Sequence, residues 1–452
     1  MKKKIVLLQN KNVYLRKKSN KNEVLIMEIK RDIHLKRLIN SKHNGLIKVV
    51  TGIRRCGKSY LLMNLFRQHL LNEGVSENHI ITLDLENRRN KKLRDPDALL
   101  EWIDAQIVEY KSAGEVPKEE WYYVMLDEVQ LVPEFEDVLN SYLSIRNVDV
   151  YVTGSNSRFL SKDVITEFRG RGHEIHITPL SMSEFANAHP EMSFEEALNQ
   201  YMTYGGLPKV CVEPDIREKE AYLKGLFEKT YLTDIQERYH IKGSDVMAEL
   251  IDVVASCIGG LTNPTKIVNT FKTINHSGIG KNTIKQYLEM LEDAFLVKQA
   301  VRYDVKGRKY IDTPQKYYFE DLGLRNARIG FRQVENTHLM ENMVFNELCL
   351  HGYTVDVGVV THNTKDQDGN SKRVQLEVDF VCNRGSERIY VQSAYALPDR
   401  EKVEQEQASL LQIKDGFQKV IITADRYLSG HSENGIRILS LKDFLMKGIS
   451  FE

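Results

Sequence analysis

The sequence has few cysteines, and their spacing forms no pair. Five occur in 452 residues, at positions 56, 211, 257, 349 and 382. Zinc sites and disulfide frameworks both need cysteines at short, regular spacings. The sequence therefore argues against either kind of site as the basis of the fold.

Long apolar runs are also missing. No segment approaches the roughly 18 consecutive apolar residues that mark a membrane-spanning helix. The apolar stretch at residues 5–8 is too short for a signal peptide, and no small-residue cleavage site follows it. We therefore expect a soluble, cytoplasmic protein with no membrane partner.

The chain lacks a net charge of either sign. It contains 63 basic and 63 acidic residues, so no overall field argues for or against nucleic acid as a partner. The first 22 residues are the exception, because they carry eight lysines and arginines and no acid. This segment is interpreted as a nucleic-acid-binding arm, a solvated tail, or sequence upstream of a start at Met27.

A glycine-rich motif occupies residues 51–59, Thr-Gly-Ile-Arg-Arg-Cys-Gly-Lys-Ser. It fits the phosphate-binding loop pattern of Gly, four residues, Gly, Lys and Ser or Thr. An apolar run at 46–50 precedes it and an amphipathic pattern at 60–66 follows, which is the required order of strand, loop and helix. The predicted nucleotide-binding residues are Gly52, Ile53, Arg54, Arg55, Cys56, Gly57, Lys58, Ser59 and Tyr60.

The residue types in this motif suit the binding of phosphate. Gly52 and Gly57 permit the backbone angles that wrap a loop around an anion, so that N–H groups and a helix N-terminus face it. Lys58 is expected to contact the β- and γ-phosphates, and the Ser59 hydroxyl is expected to bind Mg²⁺.

A second apolar run, residues 121–126, ends in Asp127 and Glu128. A buried parallel strand delivers such acids at its C-terminal edge. Asp127 is predicted to hold the metal, directly or through water. Glu128 is predicted to orient and deprotonate the attacking water.

Three further strands, near residues 79–85, 149–154 and 173–178, complete a predicted five-stranded parallel α/β core. Ser155 and Asn156 follow the second of these strands, and each is a candidate to sense the γ-phosphate. The alternative is a turn with a helix N-cap.

Two arginines lie on the glycine-containing loop before the last strand of this core. Arg169 and Arg171 could each supply charge to a transition state, in their own chain or in a neighbour, and we favour Arg171. A structural ion pair is the alternative interpretation.

This region resembles the AAA-type, additional-strand P-loop ATPases, most closely a bacterial and archaeal group with a C-terminal domain of unknown function. The resemblance implies a central phosphate-loop strand that is not adjacent to the Asp127 strand, and it implies hydrolysis of Mg-ATP. The sequence contains no Asn-Lys-x-Asp set, the motif that confers specificity for guanine, so we expect the nucleotide to be ATP and not GTP. The matching segments are residues 52–59, 126–130, 153–157, 179–185 and 204–208.

Two predicted helices and a β-ribbon around the basic turn at 306–309 describe a winged helix over residues 241–330. Such modules bind DNA or dock proteins. Four side chains on the second helix suit phosphate or base contacts, but three acids follow them, so both partners stay open. The four are Lys281, Thr283, Lys285 and Gln286, and the acids are Glu289, Glu292 and Asp293.

The last part of the chain, residues 331–452, is similar to the restriction-endonuclease fold, in which strand acids and a lysine hold a metal and a water. Asp379 stands at the metal-binding position, with Glu341 or Glu347 as a helix acid. The following strand carries Gln-Ser-Ala at 392–394 in place of Glu-x-Lys. This loss favours a degenerate, non-cleaving domain.

The predicted order of domains is a basic N-terminal tail, an ATPase core, a helical lid or linker, a winged helix and the endonuclease-like domain. We favour an ATPase that couples nucleotide state to its C-terminal modules. An ATP-gated nuclease and a scaffold with negligible turnover are the alternatives, and the oligomeric state stays open. The bounds are 1–29, 30–205, 206–240, 241–330 and 331–452.

Overall fold

The computed structural model forms two compact units. The first comprises residues 1–180 and 207–212, and the second comprises 181–206 and 213–452. The residues that the structure describes are 5–7, 14–17, 24–27, 29–111, 120–154, 168, 170–239, 244–273, 279–332, 335–365, 371–425 and 429–449.

The first unit begins with a small antiparallel sheet in the basic N-terminal segment. Its strands are β1 (Ile5–Leu7), β2 (Tyr14–Lys17) and β3 (Val24–Met27), paired in that order. A solvated tail was one interpretation of this segment, so these strands are an unpredicted feature.

A five-stranded parallel sheet forms the centre of the first unit, as the sequence predicts. In space the strands run β5-β6-β7-β4-β8, and every pair is parallel. The phosphate-loop strand β4 is therefore separated from the Asp127 strand β6 by β7, as the family resemblance implied. The strands are β4 (Ile47–Thr51), β5 (Ile80–Asp84), β6 (Tyr122–Asp127), β7 (Val148–Thr153) and β8 (Gly172–His176).

The central strands are buried along their whole length because helices cover both faces of the sheet, and two charged residues within them, Lys48 and Asp149, form an ion pair with each other. All residues of β4, β6 and β7 are buried. The helix Phe135–Tyr142 buries Phe135, Val138, Leu139 and Tyr142, which recur at the spacing of one helical face. The other helical segments of this unit are Asp32–Asn40, Lys58–Tyr60, Leu61–Phe66, Arg67–Asn72, Glu77–His79, Arg88–Arg94, Pro96–Lys111, Val129–Leu131 and Pro208–Val212.

The second unit combines helices with a mixed sheet. Two of its helices begin with a reciprocal cap, in which Ser181 pairs with Glu184 and Ser193 pairs with Glu196. The helical segments are Met182–Ala188, Phe194–Tyr204, Ile216–Leu226, Phe227–Leu232, Thr233–Tyr239, Ser244–Ser256, Pro264–Thr273, Lys281–Asp293, Leu322–Arg328, Asn336–Leu350, Arg400–Leu411 and Leu441–Lys447.

The sheet of the second unit has eight strands in the order β10-β9-β11-β12-β13-β14-β16-β15. The predicted ribbon is present as the β9–β10 hairpin, but β9 also pairs in parallel with β11, so the hairpin belongs to the larger sheet. The strands are β9 (Val297–Asp304), β10 (Lys309–Phe319), β11 (Thr354–Lys365), β12 (Ser371–Arg384), β13 (Glu387–Ala394), β14 (Gln418–Thr423), β15 (Gly430–His431) and β16 (Arg437–Ser440).

Within the described ranges, every helix is too short or too polar to span a bilayer.

Candidate functional site

The loop between β4 and the helix at Lys58 depends on two glycines with left-handed backbone angles. Gly52 has φ of +137° and Gly57 has φ of +105°. A Cβ atom on Gly52 would lie 2.1 Å from the carbonyl oxygen of Ile177. Because both the angle and the space exclude a side chain, Gly52 fixes how closely the loop passes the strand-to-loop junction after β8.

Lys58 lies inside this loop. Its side chain is only 4% exposed, and its Nζ donates to the carbonyl oxygens of Gly52 (2.9 Å) and Ile53 (3.3 Å). No carboxylate among the described residues pairs with it. The ammonium is therefore held by neutral acceptors and can form the stronger bonds that charged acceptors offer.

Arg31 connects the loop to the segment after β8. This residue was not identified from the sequence. Its guanidinium is buried and donates to the carbonyl oxygens of Cys56 (2.9 Å) and Thr178 (2.6 Å). The Cys56 thiol donates to the carbonyl oxygen of Ile177 at 3.3 Å. These bonds connect the loop to the segment after β8, so the loop geometry is braced before any ligand binds.

Asp127, at the C-terminal end of β6, lies beside the start of the phosphate-loop helix. The hydroxyl groups of Thr153 and Ser59 both donate to its carboxylate. Burial, assisted by the charge of neighbouring Glu128, raises the pKa of Asp127 to about 6 against the effect of these two hydrogen bonds. A buried carboxylate beside a serine hydroxyl is an oxygen donor set that fits Mg²⁺, whose charge would offset the cost of burial.

Glu128 adopts a strained backbone. Its φ is +55°, in the left-handed region that a residue with a side chain seldom occupies. Its N–H donates to Thr153 Oγ1 at 3.1 Å, and its carboxylate accepts from Gln130 Nε2. Thr153 thus holds both acids, and strain of this kind suggests a functional position.

The structure does not place every predicted site residue beside Lys58, Asp127 and Glu128. Ser155, Asn156 and Arg169 lie outside the described residues. Arg171 is exposed, and its carbonyl oxygen accepts from the N–H of Ile47, the first residue of β4. It therefore lies beside the N-terminal end of β4, whereas the phosphate loop follows the C-terminal end of that strand.

The second unit contains a buried charged cluster, which we call the Lys316 cluster and define as Lys316, Glu341, Glu377 and Asp379. Lys316 Nζ contacts Glu341 Oε1 at 2.8 Å and Glu377 Oε1 at 2.7 Å. The structure thus brings together the predicted acids Glu341 and Asp379. Glu347 does not join them and instead bonds to His351 at 3.1 Å.

Charge compensation in the Lys316 cluster comes from the lysine. Burial lowers the pKa of Lys316, but Glu341, Asp379 and Glu377 together outweigh burial and raise it. Burial, and then the charge of Glu341, raises the pKa of Asp379. In the part of the chain that the structure describes, no three His, Cys, Asp or Glu residues are placed to hold a metal. The sequence pattern missed Lys316 because it stands on β10, far from the acids in the chain.

Comparison with family models matches two parts of the chain. Residues 44–186 match a family described as an AAA domain, and residues 195–335 match a domain of unknown function. The first match covers β4 to β8, and therefore contains the loop, Asp127 and Glu128.

Two relatives match over most of their length. An uncharacterized protein of Haemophilus influenzae is 34% identical over 423 residues, which cover 93% of this chain and 99% of the relative. The uncharacterized protein MJ1544 of Methanocaldococcus jannaschii is 27% identical over 398 residues, covering 86% of this chain and 82% of the relative.

Solved structures give weaker likenesses. The Walker-type ATPase PABY2304 of Pyrococcus abyssi gives a TM-score of 0.48 at 17% identity, covering 67% of this chain and 96% of that one. The Orc1 protein of Aeropyrum pernix, solved in complex with DNA, gives 0.27 at 13% identity, covering 67% and 93%. Scores below 0.5 do not establish a shared fold.

Proposed function

We propose that this chain, which belongs to the same family as the Haemophilus influenzae protein and contains an AAA-type P-loop ATPase core, hydrolyses Mg-ATP to ADP and phosphate. One observation carries the proposal. Lys58 is buried inside a glycine-shaped loop, where its partners in the described part of the chain are neutral carbonyl oxygens, and the adjacent Ser59 donates to the buried Asp127. This arrangement supplies a cation for phosphate and oxygen donors for a metal within one site.

Residues 52–60 would bind the phosphates of ATP through backbone N–H groups and the start of the helix. Lys58 can exchange its two carbonyl acceptors for β- and γ-phosphate oxygens. An anionic phosphate oxygen adds direct charge–charge attraction that a carbonyl oxygen lacks, so phosphate would compete well for the ammonium.

Ser59 and Asp127 would hold Mg²⁺, which when bound compensates the charge of the phosphates. The raised pKa of Asp127 means that its proton must leave before the carboxylate can serve as a ligand. Thr153 holds that carboxylate in position through its hydroxyl.

Glu128 is proposed to orient the attacking water and accept its proton. Its N–H bond to Thr153 and its carboxylate bond to Gln130 fix the residue at both ends. Asn156 remains a proposed sensor of the γ-phosphate. Arg171 remains proposed as a residue that acts on the site of a neighbouring subunit.

We further propose that nucleotide state is communicated to the second unit, which binds DNA or a protein partner. The helices Pro264–Thr273 and Lys281–Asp293 with the β9–β10 hairpin support a winged-helix interpretation. Lys281 and Lys285 are exposed on the second helix, but Lys285 lies 3.8 Å from Glu289. This pairing weakens the argument that the helix binds DNA, and a protein remains the alternative partner.

The Lys316 cluster supports the view that residues 331–452 are an endonuclease-like domain that does not cleave. The Lys316 ammonium already bonds to Glu341 and Glu377, so a metal entering there would meet a like charge. The alternative is an ATP-gated nuclease. It requires metal-dependent DNA cleavage that Asp379→Ala abolishes.

Steady-state phosphate release from ATP tests the main proposal. We expect turnover in the wild type, loss of ATP binding and turnover in Lys58→Ala, and ATP binding with turnover lowered about 100-fold or more in Glu128→Gln. The matched control is Lys92→Ala, since Lys92 lies in the segment Arg88–Arg94, which contains no buried residue.

Two comparisons separate the remaining hypotheses. Acceleration by duplex DNA favours a DNA-coupled switch, whereas turnover indifferent to DNA favours a protein partner. If the wild type binds ATP tightly but releases no more phosphate than Glu128→Gln, the hydrolysis proposal is wrong and the scaffold is favoured.

A further inference from the structure

The second unit contains a cleft of about 750 Å³, which we call the aromatic cleft. It is lined by the β9–β10 turn, the β12–β13 turn and the segment that leads into β14; the lining side chains used below are Tyr303, Lys306, Arg308, Arg388, Lys414 and Phe417. Its volume falls within the range of about 300–1,000 Å³ that small-molecule sites occupy. Neither the phosphate loop nor the Lys316 cluster contributes to it.

The lysines and arginines of the cleft are not neutralised by carboxylates. Lys306 and Lys414 donate to the backbone carbonyl oxygens of Thr361 (2.7 Å) and Leu411 (3.1 Å). Across the described residues, neither lysine forms an ion pair, and their positive charge is available to an anion.

The two arginines of the cleft behave in the same way. Arg388 Nε donates to the amide oxygen of Asn383 at 2.7 Å. Arg308, in the β9–β10 turn with φ of +52°, is exposed. Neither arginine is paired with a carboxylate in the described ranges.

The acids that line the cleft already have partners. Glu387 forms an ion pair with Arg384 at 2.8 Å, and Asp415 accepts a hydrogen bond of 2.5 Å from the hydroxyl of Tyr390. Four cations line the cleft against two acids, and one of those acids, Glu387, is compensated by Arg384, so the cleft presents a net positive field to a ligand.

Planar side chains form a ladder along one side of the cleft. The Arg388 guanidinium lies 5.3 Å from the ring of Tyr303 and 5.7 Å from the ring of Phe417. Tyr310 is outside the lining of the cleft, with its ring 5.3 Å from that of Tyr303 and tilted by 60°. Phe417 and Tyr310 are 42% and 60% exposed, so aromatic surface beside the cations is accessible to a ligand.

We propose that the aromatic cleft binds a nucleotide unit, with its base stacked on Phe417 and the Arg388 plane and its phosphate at Arg308, Lys306 and Lys414. Stacking on aromatic and guanidinium planes beside a positive groove is how proteins bind unpaired nucleotides irrespective of sequence. The unit could be a free nucleotide or part of a single strand. The bases of a duplex are already stacked and are not available to this ladder.

Fluorescence anisotropy of the full-length protein tests the proposal. The probe is a fluorescein-labelled strand of ten thymidines, and uridine monophosphate is the competitor. The measurement is made in a Lys58→Ala background so that the phosphate loop does not contribute. We expect Phe417→Ala to weaken binding about tenfold, because base stacking is worth about that much. We expect Phe417→Trp, which keeps a stacking surface, to restore binding.

Arg308→Ala should weaken binding and lower the slope of log affinity against log salt by about one, since one phosphate contact is removed. Ile216→Ala is the matched control, because Ile216 is 49% exposed and lies outside the cleft. Equal melting temperatures of all variants exclude a folding defect.

The outcomes also identify the source of the nucleotide. Displacement of the strand by uridine monophosphate supports a free-nucleotide site, and retention of the strand supports a single-strand site. Binding of uridine monophosphate is also measured directly, by isothermal titration, and binding of a labelled DNA duplex is measured by anisotropy. The proposal is overturned if neither the strand nor uridine monophosphate binds at low salt, if the duplex binds as well as the strand, or if Phe417→Ala and Arg308→Ala leave affinity unchanged.

Discussion

The phosphate loop and the Lys316 cluster both contain a buried lysine and carboxylates, but they hold these charges differently. Among the described residues, Lys58 bonds only to carbonyl oxygens of its own loop, while the nearby Asp127 bonds to hydroxyl groups. Lys316 bonds directly to two carboxylates. The first site keeps both charges available for a ligand and a metal, whereas the second satisfies them internally. The partner of a buried lysine therefore says more about function than the lysine itself.

The largest difference between the two sites should appear in the free energy of unfolding when each lysine is removed. Lys316→Met leaves Glu341 and Asp379 buried, and Glu377 half-buried, without their cation, so we expect a loss of about 3–5 kcal/mol in the free energy of unfolding. Lys58→Met leaves only carbonyl oxygens, and we expect a loss of at most about 1 kcal/mol. Urea unfolding of the two variants provides the measurement.

A second substitution checks the cause of the loss in Lys316→Met. Adding Glu341→Gln removes one of the stranded charges and should recover part of the stability. If the double variant is less stable than Lys316→Met, packing and not charge is what Lys316 contributes.

Gly52→Ala tests whether the first site is built from backbone geometry. The new Cβ would meet the Ile177 carbonyl oxygen at 2.1 Å and would also strain a φ of +137°. We expect about 2–3 kcal/mol of destabilisation and loss of ATP binding, measured by urea unfolding and nucleotide titration. Gly45→Ala is the control, since it has φ of +73° but no atom within 4 Å of the new Cβ. An equal cost for both would mean that the contact with Ile177 is unimportant.

A smaller effect is expected in the pH dependence of metal binding at the phosphate-loop site. Burial raises the pKa of Asp127 to about 6, so protons compete with Mg²⁺ below that pH. We expect Mg²⁺-dependent nucleotide affinity to fall up to about tenfold per pH unit below pH 6. Isothermal titration at several pH values should show this fall in the wild type and a flatter profile in Asp127→Asn.

The same shift has a definite sign for stability. The folded state binds the Asp127 proton more tightly than the unfolded state, whose pKa is near 3.8. The contribution of this group therefore weakens the wild type relative to Asp127→Asn as the pH rises from about 4 to above 6. A difference that grows in the opposite direction would show that Asp127 is not buried in the apo protein.

The sequence predicted the first unit well because its signals are local. A buried parallel strand is apolar along its whole length, and the loop motif follows one such strand directly. The separation of β4 from β6 came from the family resemblance, and the structure agrees with it, but β4 is the fourth of the five strands and so is not the central one. Arg31 was missed because it acts on Cys56 and Thr178, which are remote in the sequence.

The second unit was predicted less completely. The strand β11 escaped notice because its second half, Thr-His-Asn-Thr-Lys at 361–365, is polar and lies in a long hairpin with β12. Lys316 escaped notice because the expected lysine was sought on the strand that carries Gln392. Only the pairing of distant strands shows which residues share the cluster.

The position of Lys316 on β10 also has a consequence for how this family can change over time. A lysine supplied by a distant strand leaves positions 392–394 without a charge requirement, although Ser393 still donates its N–H to the Asp379 carboxylate. Selection would act instead on Lys316 and Glu341 as a pair, because loss of either one leaves the other as an uncompensated charge in the interior. A comparison of relatives should therefore find these two positions changing together.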